Sequence, residues 1–501
     1  MTRPAVPVRF GVRLSDVVAR LDREGLLVSS PTADPVLAGI DDDSRVVAPA
    51  HLFCAWVGTA TDGHGYLPAV EQAGAAAALV ERRVPEVEVP QVVVVDGRRA
   101  AAAAAALMYG DPADELVMVG VTGTNGKTTT TWILRHLLDG RYRAASIGTL
   151  GVLLPEGAVP ETDPLTTPGP VALARALREL ANQGVTAVAM EVSSHALHQG
   201  RVHGVRFDAA VFTNLTRDHL DYHGTEAAYL EAKRSLIGLL RANGTAVINA
   251  DDAAWAGLEE AAPHAVRFGI RAADAEIRAE SLELTARGAR FEMVTSGGIL
   301  AAELPLLGAF NVQNALGAAA ACLALGIPAD EVVARLATVP QVPGRLERIA
   351  DWPCPVLTDY AHTPDALERV LATIRPLVAG RLIVVFGAGG DRDRGKRPLM
   401  GEVAERYADV AIVTSDNPRT EDPDAIIDEI VAGMPAGRHL RITNRRAAIG
   451  KALSLASADD LILLAGKGHE TYQILGTERV PFDERQVVAE QVLAMQDGVE
   501  R

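Results

Sequence analysis

Short runs of β-branched and aliphatic residues alternate along this chain with longer stretches in which Ala and Leu recur at helical spacing. Apolar runs of four to eight residues bounded by turn signals read as buried strands, and longer periodic stretches read as amphipathic helices. The pattern predicts strands at Gln91–Val95, Leu116–Val121, Thr186–Glu191, Ala209–Thr213, Val356–Asp359, Leu382–Phe386, Val410–Thr414 and Leu461–Ala465. It predicts helices at Arg98–Tyr109 and Thr130–Leu138. Strand and helix in alternation is the signature of an α/β chain built on parallel sheets. Many of these strands end in loops rich in polar and charged residues, which is where open parallel sheets bind ligands.

At about 100–200 residues per domain, 501 residues suggest three domains. The Asp111-Pro112 break and the Gly344-Arg345 turn divide the chain into 1–112, 113–343 and 344–501. The expected fold class is α/β in three domains, with a central P-loop-type parallel sheet and a Rossmann-like C-terminal sheet.

Composition narrows the partners. With 48 Lys and Arg against 64 Asp and Glu, the formal charge is −16 and aromatics are 4%. An acidic chain poor in aromatics is a poor nucleic-acid binder, because phosphate contacts need a basic surface and single strands need stacking platforms. The three cysteines, Cys54, Cys322 and Cys354, form no C-x-x-C pair, which fits a reducing compartment. The longest apolar stretch, Ala100–Met108, is too short to span a bilayer. A cytoplasmic, monomeric protein with no membrane insertion is expected.

The strand at Leu116–Val121 runs into Thr122-Gly123-Thr124-Asn125-Gly126-Lys127-Thr128-Thr129 and then a helix. A glycine loop between strand and helix cradles phosphate, because loop N–H groups and the helix N-terminus face the anion. Lys127 is placed to reach the β- and γ-phosphates, and the Thr128 hydroxyl to ligate Mg²⁺. The general pattern G-x-x-x-x-G-K-[ST] asks for glycine at 121, where this chain has Val121; its glycines are Gly120, Gly123 and Gly126.

The intact string Gly-Thr-Asn-Gly-Lys-Thr-Thr resembles the ATP loop of the Mur ligases and the related folylpolyglutamate synthetases. The resemblance extends along nearly the whole chain. It implies a three-domain enzyme in which ATP phosphorylates a carboxylate and an amine displaces phosphate from the acyl phosphate. The ATP-binding residues it implies are Gly123, Thr124, Asn125, Gly126, Lys127, Thr128, Thr129, Asn314, Arg345 and Asp359. Glu191 in Met-Glu-Val-Ser-Ser-His and His219 in Asp-His-Leu-Asp are implied Mg²⁺ ligands with Thr128. Lys233 matches the lysine that this family carboxylates on Nζ, which would add oxygen ligands to the metal set. Lys127, Glu191, His219 and Lys233 are thus the candidate catalytic residues, with Mg²⁺ and ATP as cofactor and co-substrate. The general base stays open between His362, His195 and the substrate itself.

The substrates implied are a UDP-muramoyl-dipeptide and a diamino acid. Ser44, the turn Thr59-Ala60-Thr61, Thr166, Thr167, Ser193, Gln199 and Arg201 fall at positions similar to those that hold the UDP-dipeptide. Arg201 suits a carboxylate, which a guanidinium grips with two hydrogen bonds. Arg392, Asp416, Asn417, Pro418, Arg419, Gly466 and Glu470 lie on three charged strand-end loops of the C-terminal block. Diaminopimelate carries two carboxylates and two ammonium groups. Arg392 and Arg419 are expected to pair carboxylates, and Asp416 and Glu470 the distal ammonium. The string Asp-Asn-Pro-Arg resembles the diaminopimelate-adding branch of the family; lysine, without the distal carboxylate, would leave Arg419 unpaired.

Three rival readings are weaker. A folylpolyglutamate synthetase should lack the UDP-binding block and Asp-Asn-Pro-Arg. A guanine-nucleotide switch needs Asn-Lys-x-Asp, which is absent. A binding protein without catalysis has no reason to keep Lys127, Glu191, His219, Lys233 and Asp359 together.

Overall fold

The computed structural model describes residues 8, 9, 11–58, 61–159, 165–285 and 287–499. Three main sheets carry the fold. The first runs in the order Leu27–Ser29, Gln91–Val94, Ala77–Val80, His51–Cys54 and Gly39–Asp41, parallel except for its first strand. Its helix Gly97–Met108 is capped by Asp96, which accepts from the N–H groups of Arg98 and Arg99. Ala100 to Ala105 of that helix are buried, and their small size lets helix Pro170–Asn182 pack closely. Val171 and Ala174 of the latter helix complete the same apolar core as Leu52, Leu79 and Val92. Arg175 and Arg178 fasten the contact, the first to Asp41 and the Tyr109 hydroxyl, the second to Glu115 and the carbonyls of Tyr109 and Gly110.

By packing, the chain forms two compact units. One unit comprises residues up to Glu280 with Met293–Leu300 and Gln313–Leu336, and the other comprises Ser281–Glu292, Ala301–Val312 and residues from Ala337 onward.

The first unit also holds the central parallel sheet, ordered His264–Gly269, Leu240–Asn249, Phe207–Phe212, Val117–Thr122, Ala187–Glu191 and Ala144–Gly148. Strand Val117–Thr122 lies inside it, flanked on both sides. Val121 is fully buried there, in register with Glu191 and Val211. The strand therefore extends one residue past the predicted end, and the position where the general phosphate-loop pattern asks for glycine is a sheet position. Gly120 has a separate reason: a Cβ on it would stand 3.0 Å from the Phe207 ring.

The second unit is built on the sheet Glu347–Ala350, Val356–Asp359, Leu461–Ala465, Leu382–Phe386, Val410–Val413 and His439–Arg441, parallel except for its first strand. Apolar clusters cover both faces, Leu357, Val384, Phe386 and Leu463 on one and Val356, Ile383, Val385 and Ile462 on the other. Burial on both faces explains why these strands are continuous apolar runs in the sequence. The last strand, Leu461–Ala465, inserts between the first two parallel strands. That break in strand order is where doubly wound sheets open a ligand crevice. The cysteines are all free and buried.

Candidate active site

In the first unit, strand Val117–Thr122 turns into helix Lys127–Leu138 over four residues. Gly123 and Gly126 have φ of 145° and 85°, values that side chains rarely adopt. Space forbids a side chain too: a Cβ would lie 1.9 Å from Thr213 Oγ1 at Gly123, and 2.3 Å from Asn314 Oδ1 at Gly126. The loop is stapled from the neighbouring strand end. Thr124 N donates to the Asn214 carbonyl (2.7 Å), Asn125 N to Asn214 Oδ1 (2.9 Å), and Thr213 Oγ1 to the Asn125 carbonyl (2.7 Å).

Two ammonium groups meet at one neutral oxygen of this loop. Lys127 Nζ lies 3.0 Å from the Gly123 carbonyl and 2.9 Å from that of Thr124. Lys233 Nζ, on a side chain only 1% exposed, donates to the same Gly123 carbonyl at 2.7 Å and lies 4.6 Å from the centre of the Tyr229 ring. Burial, and then the Lys127 charge, hold the Lys233 amine well below the usual lysine range. Lys127 beside a helix N-terminus forms a place for an anion, with the buried Lys233 amine on the same carbonyl.

Glu191 ends its strand 1% exposed. It accepts from Thr128 Oγ1 (3.2 Å), Thr149 N (2.8 Å) and Thr149 Oγ1 (3.3 Å). Thr149 reaches on to Thr166 Oγ1 at 3.2 Å. Thr167 Oγ1 donates to the Glu191 carbonyl (2.8 Å) and accepts from Ser193 N (3.0 Å). Arg201 donates to the Thr167 carbonyl (3.0 Å) and to Gln199 Oε1 (2.8 Å). Thr166, Thr167, Ser193, Gln199 and Arg201, all expected to bind a UDP-dipeptide, are thus one hydrogen-bonded chain leading to Glu191. Thr129 is buried in the first turn of the helix, and Asn314 is buried against the loop.

His219 has positive φ (52°) and stands at the start of the short helix Leu220–His223. Its ring is 4.7 Å from His195, and its Nε2 is 3.4 Å from Asp218. Burial, with the Lys127 and Lys233 charges, lowers its pKa despite Asp218. His195 is lowered to about 4, chiefly by burial and then by His219 and His223. Among the described residues, no three His, Cys, Asp or Glu side chains are gathered closely enough to hold a metal ion by themselves. The Thr128–Glu191 pair nevertheless fits Mg²⁺, which takes one or two protein oxygens and fills its shell with water and phosphate.

The N-terminal candidates are less gathered. Ser44 sits in a turn beside Arg45, which forks onto Asp43. Thr61 is exposed, and its carbonyl accepts from Gly58 N (2.9 Å). Thr59 and Ala60 lie outside the described residues.

In the second unit, Asp359 is buried and clips the backbone, accepting from Leu346 N (2.7 Å) and Ala361 N (2.8 Å). Burial raises its pKa, against the pull of Arg345. The Arg345 guanidinium stacks 4.9 Å from the Tyr360 ring centre. At the next strand ends, Arg419 (φ 53°) donates to the Gly390 carbonyl at 2.7 Å, while Arg392 is exposed beside it. Gly390 is required where it is, because a Cβ would lie 1.8 Å from the Pro418 carbonyl oxygen. Asp416 is buried at 5% exposure, and a Cβ on Gly466 (φ 114°) would lie 3.0 Å from its Oδ2.

Between Asp416 and Glu470 stands an ammonium of the chain itself: Lys467 Nζ lies 3.1 Å from Asp416 Oδ1 and 3.2 Å from Glu470 Oε2. Burial alone would raise the Asp416 pKa, but Lys467 and then Arg445 hold it below the usual range. Sequence reasoning passed over Lys467 although it lies between the candidates Gly466 and Glu470, because a lysine at a strand end reads as a solvated cation. It also passed over Thr149 and Tyr229, which carry no local signal.

With this geometry in place, the comparisons agree with one another. Residues 121–322 match the Mur ligase middle domain, and residues 344–468 match the Mur ligase glutamate ligase domain. The UDP-N-acetylmuramoyl-L-alanyl-D-glutamate–2,6-diaminopimelate ligase of Geobacillus kaustophilus is 46% identical, covering 91% of this chain and 94% of that protein. The ligase of the same name from Gloeobacter violaceus is 44% identical, covering 96% and 98%. A solved structure of a ligase of that name superposes with a TM-score of 0.71 at 34% identity, covering 97% of this chain and 100% of the other. Mycobacterium tuberculosis folylpolyglutamate synthase complexed with ADP shares the fold, with a TM-score of 0.62 at 21% identity over 74% of this chain. From its phosphate loop to its charged strand ends, this chain belongs to the Mur ligase family.

Proposed function

We propose that the chain is an ATP-dependent, ADP-forming amide ligase. It joins diaminopimelate to the γ-carboxylate of D-glutamate in UDP-N-acetylmuramoyl-L-alanyl-D-glutamate, a step of peptidoglycan precursor synthesis. The observation that carries this reading is the pair Lys127 and Lys233 on the Gly123 carbonyl, next to Thr128 and Glu191 and continuous with Thr166, Thr167 and Arg201. One surface thereby presents the Lys127 ammonium and a helix N-terminus to a triphosphate, and a guanidinium to an acidic peptide tail.

A glutamate carboxylate oxygen attacks the γ-phosphorus, the bond to the ADP oxygen breaks, and an acyl phosphate forms. The neutral amine of diaminopimelate then attacks the acyl carbon. The tetrahedral adduct loses a proton and expels phosphate, leaving the amide. Lys127 and the loop N–H groups stabilise the charge on the transferring phosphoryl group, and most of the rate comes from positioning and charge neutralisation. Thr128 and Glu191, with His219 and Lys233, are assigned to Mg²⁺, which supplies further neutralisation of the phosphates. Lys233 is assigned as an N6-carboxylysine. Its enclosed amine sits where an added carboxylate would face Lys127, and its depressed pKa favours the neutral form that adds CO₂. Asp416, Asn417, Arg419, Gly466 and Glu470, with Pro418 and Arg392, are assigned to diaminopimelate.

This assignment makes residues 1–112 the UDP-substrate domain, 113–343 the ATP domain and 344–501 the amino-acid domain. No helix among the described residues is long and apolar enough to cross a membrane, and a cytoplasmic site of action is part of the proposal.

The test is phosphate release with Mg·ATP and the UDP-dipeptide, with meso-diaminopimelate or L-lysine as the varied partner. Release and a UDP-tripeptide with diaminopimelate support the reading. Turnover with lysine instead keeps the ligase and discards the role of Arg419. No release with either overturns the substrate assignment.

A further inference from the structure

Lys467 lies between two glycines just beyond strand Leu461–Ala465, and its side chain is 0% exposed. Its ammonium is 2.6 Å from Asn417 Oδ1, 3.1 Å from Asp416 Oδ1 and 3.2 Å from Glu470 Oε2. Two of these partners also hold each other. Asn417 Nδ2 donates to Glu470 Oε2 (2.9 Å), and Asn417 Oδ1 also accepts from Ile474 N (3.0 Å). The ammonium thus ties the Asp416-Asn417 strand end to the Gly466–Glu470 strand end.

A buried ammonium is costly unless it is paired, and an apolar side chain of similar size would commonly hold such loops more cheaply. What an apolar side chain cannot do is set the charge of the cluster. Asp416 and Glu470 together carry two formal negative charges. With Lys467 between them the cluster carries one.

We propose, resting on the assignment of this site to diaminopimelate, that Lys467 is a positioning residue that determines amino-acid specificity. It orients Asn417 and Glu470 and leaves a single net negative charge for one ammonium group of the incoming substrate. Diaminopimelate has no net charge at neutral pH, whereas lysine has one positive charge. A cluster that lost Lys467 would gain a negative charge and favour the more cationic amino acid. Lys467 therefore biases the site toward the substrate whose extra carboxylate Arg419 can pair.

The experiment compares wild type with Lys467→Met for kcat and KM toward meso-diaminopimelate and L-lysine, under saturating Mg·ATP and UDP-dipeptide. In the variant, KM for diaminopimelate is expected to rise about 30-fold or more, and the kcat/KM preference for it over lysine to fall by at least about tenfold. The KM for ATP should stay within about twofold, since the phosphate loop is remote in sequence and makes none of these contacts. A folded variant with unchanged amino-acid KM and unchanged preference overturns the proposal, as does a loss of kcat with every KM unchanged. If the Met variant does not fold, Lys467→Gln keeps a donor toward Asn417 and removes only the charge, with the same expectation. If both are insoluble, Lys467→Arg decides. A soluble Arg enzyme with shifted amino-acid preference supports a positioning role, and one with wild-type KM and preference makes Lys467 purely structural. Failure of the functional reading is separate, because it appears in the wild type as absence of the UDP-tripeptide.

Discussion

The phosphate loop of the first unit and the charged strand ends of the second are both built around lysines, and they give those lysines different partners. Lys127 donates to the neutral carbonyls of Gly123 and Thr124 beside a helix N-terminus, and the buried Lys233 amine shares the first of these carbonyls. Lys467 lies between Asp416 and Glu470, which hold its charge within the protein. The first arrangement suits a triphosphate with many negative oxygens. The second suits a zwitterion, for which a strong field of either sign would be a poor match. The sign of a site is set less by which ionisable residues it has than by what each one touches.

The largest expected effect tests Lys127. Lys127→Ala should lower kcat by about 10³-fold or more, since single donors to a developing charge are worth about 10²–10³-fold and this one also binds ground-state phosphate. Circular dichroism and thermal unfolding should stay close to wild type, because Asn214 and Thr213 staple the loop independently of Lys127. Near-normal turnover would remove the phosphate-loop assignment. Next, Glu191→Gln should lower kcat by about 10²-fold and raise the Mg²⁺ concentration for half-maximal activity, read from a metal titration of phosphate release. The amide can still accept from Thr128 and Thr149, so an unchanged metal requirement would make Glu191 a structural acceptor.

Smaller effects should separate the two regions. Arg419→Ala should raise KM for diaminopimelate by about 10–100-fold and leave the ATP KM unchanged. Gly126→Ala should do the reverse, because its Cβ would meet Asn314 in the phosphate loop. It should also cost about 1–3 kcal/mol of stability in chemical denaturation for the strained backbone. Crossed effects, with Arg419→Ala altering the ATP KM, would show that the two regions are not independent.

The smallest effect is shared. His195 in the first region and His469 in the second are both lowered to about 4, by burial first and then by neighbouring positive charges. A histidine near 6.5 in the unfolded chain and near 4 when folded binds its proton preferentially in the unfolded state. Stability therefore falls as pH drops below 6.5, and that loss is complete below about 4. Replacing either residue with Gln should flatten the stability curve across that window and leave it unchanged above pH 7. An unchanged slope from pH 6.5 to 4 would show that both imidazoles titrate normally.

Much of this protein is legible in its sequence, for a physical reason. Strands buried on both faces must be apolar throughout, so Val356–Asp359, Leu382–Phe386 and Leu461–Ala465 are marked by composition alone. Glycines at 123 and 126 are required by a loop that closes on the next strand end, so Gly-Thr-Asn-Gly-Lys-Thr marks the phosphate site without any knowledge of its partners. Val121 looks like a departure only while the strand is taken to end there; in the sheet it is an ordinary interior residue. Tertiary structure decided what depends on groups distant in the chain. It placed Lys127 and Lys233 on one carbonyl, Thr149 beneath Glu191, and Lys467 between Asp416 and Glu470. It also joined the N-terminal sheet to the central block through the packing of helix Pro170–Asn182. Hydrophobic period and backbone conformation are local properties that each segment carries with it, whereas the charge of a site is a sum over neighbours that come together only when the chain folds.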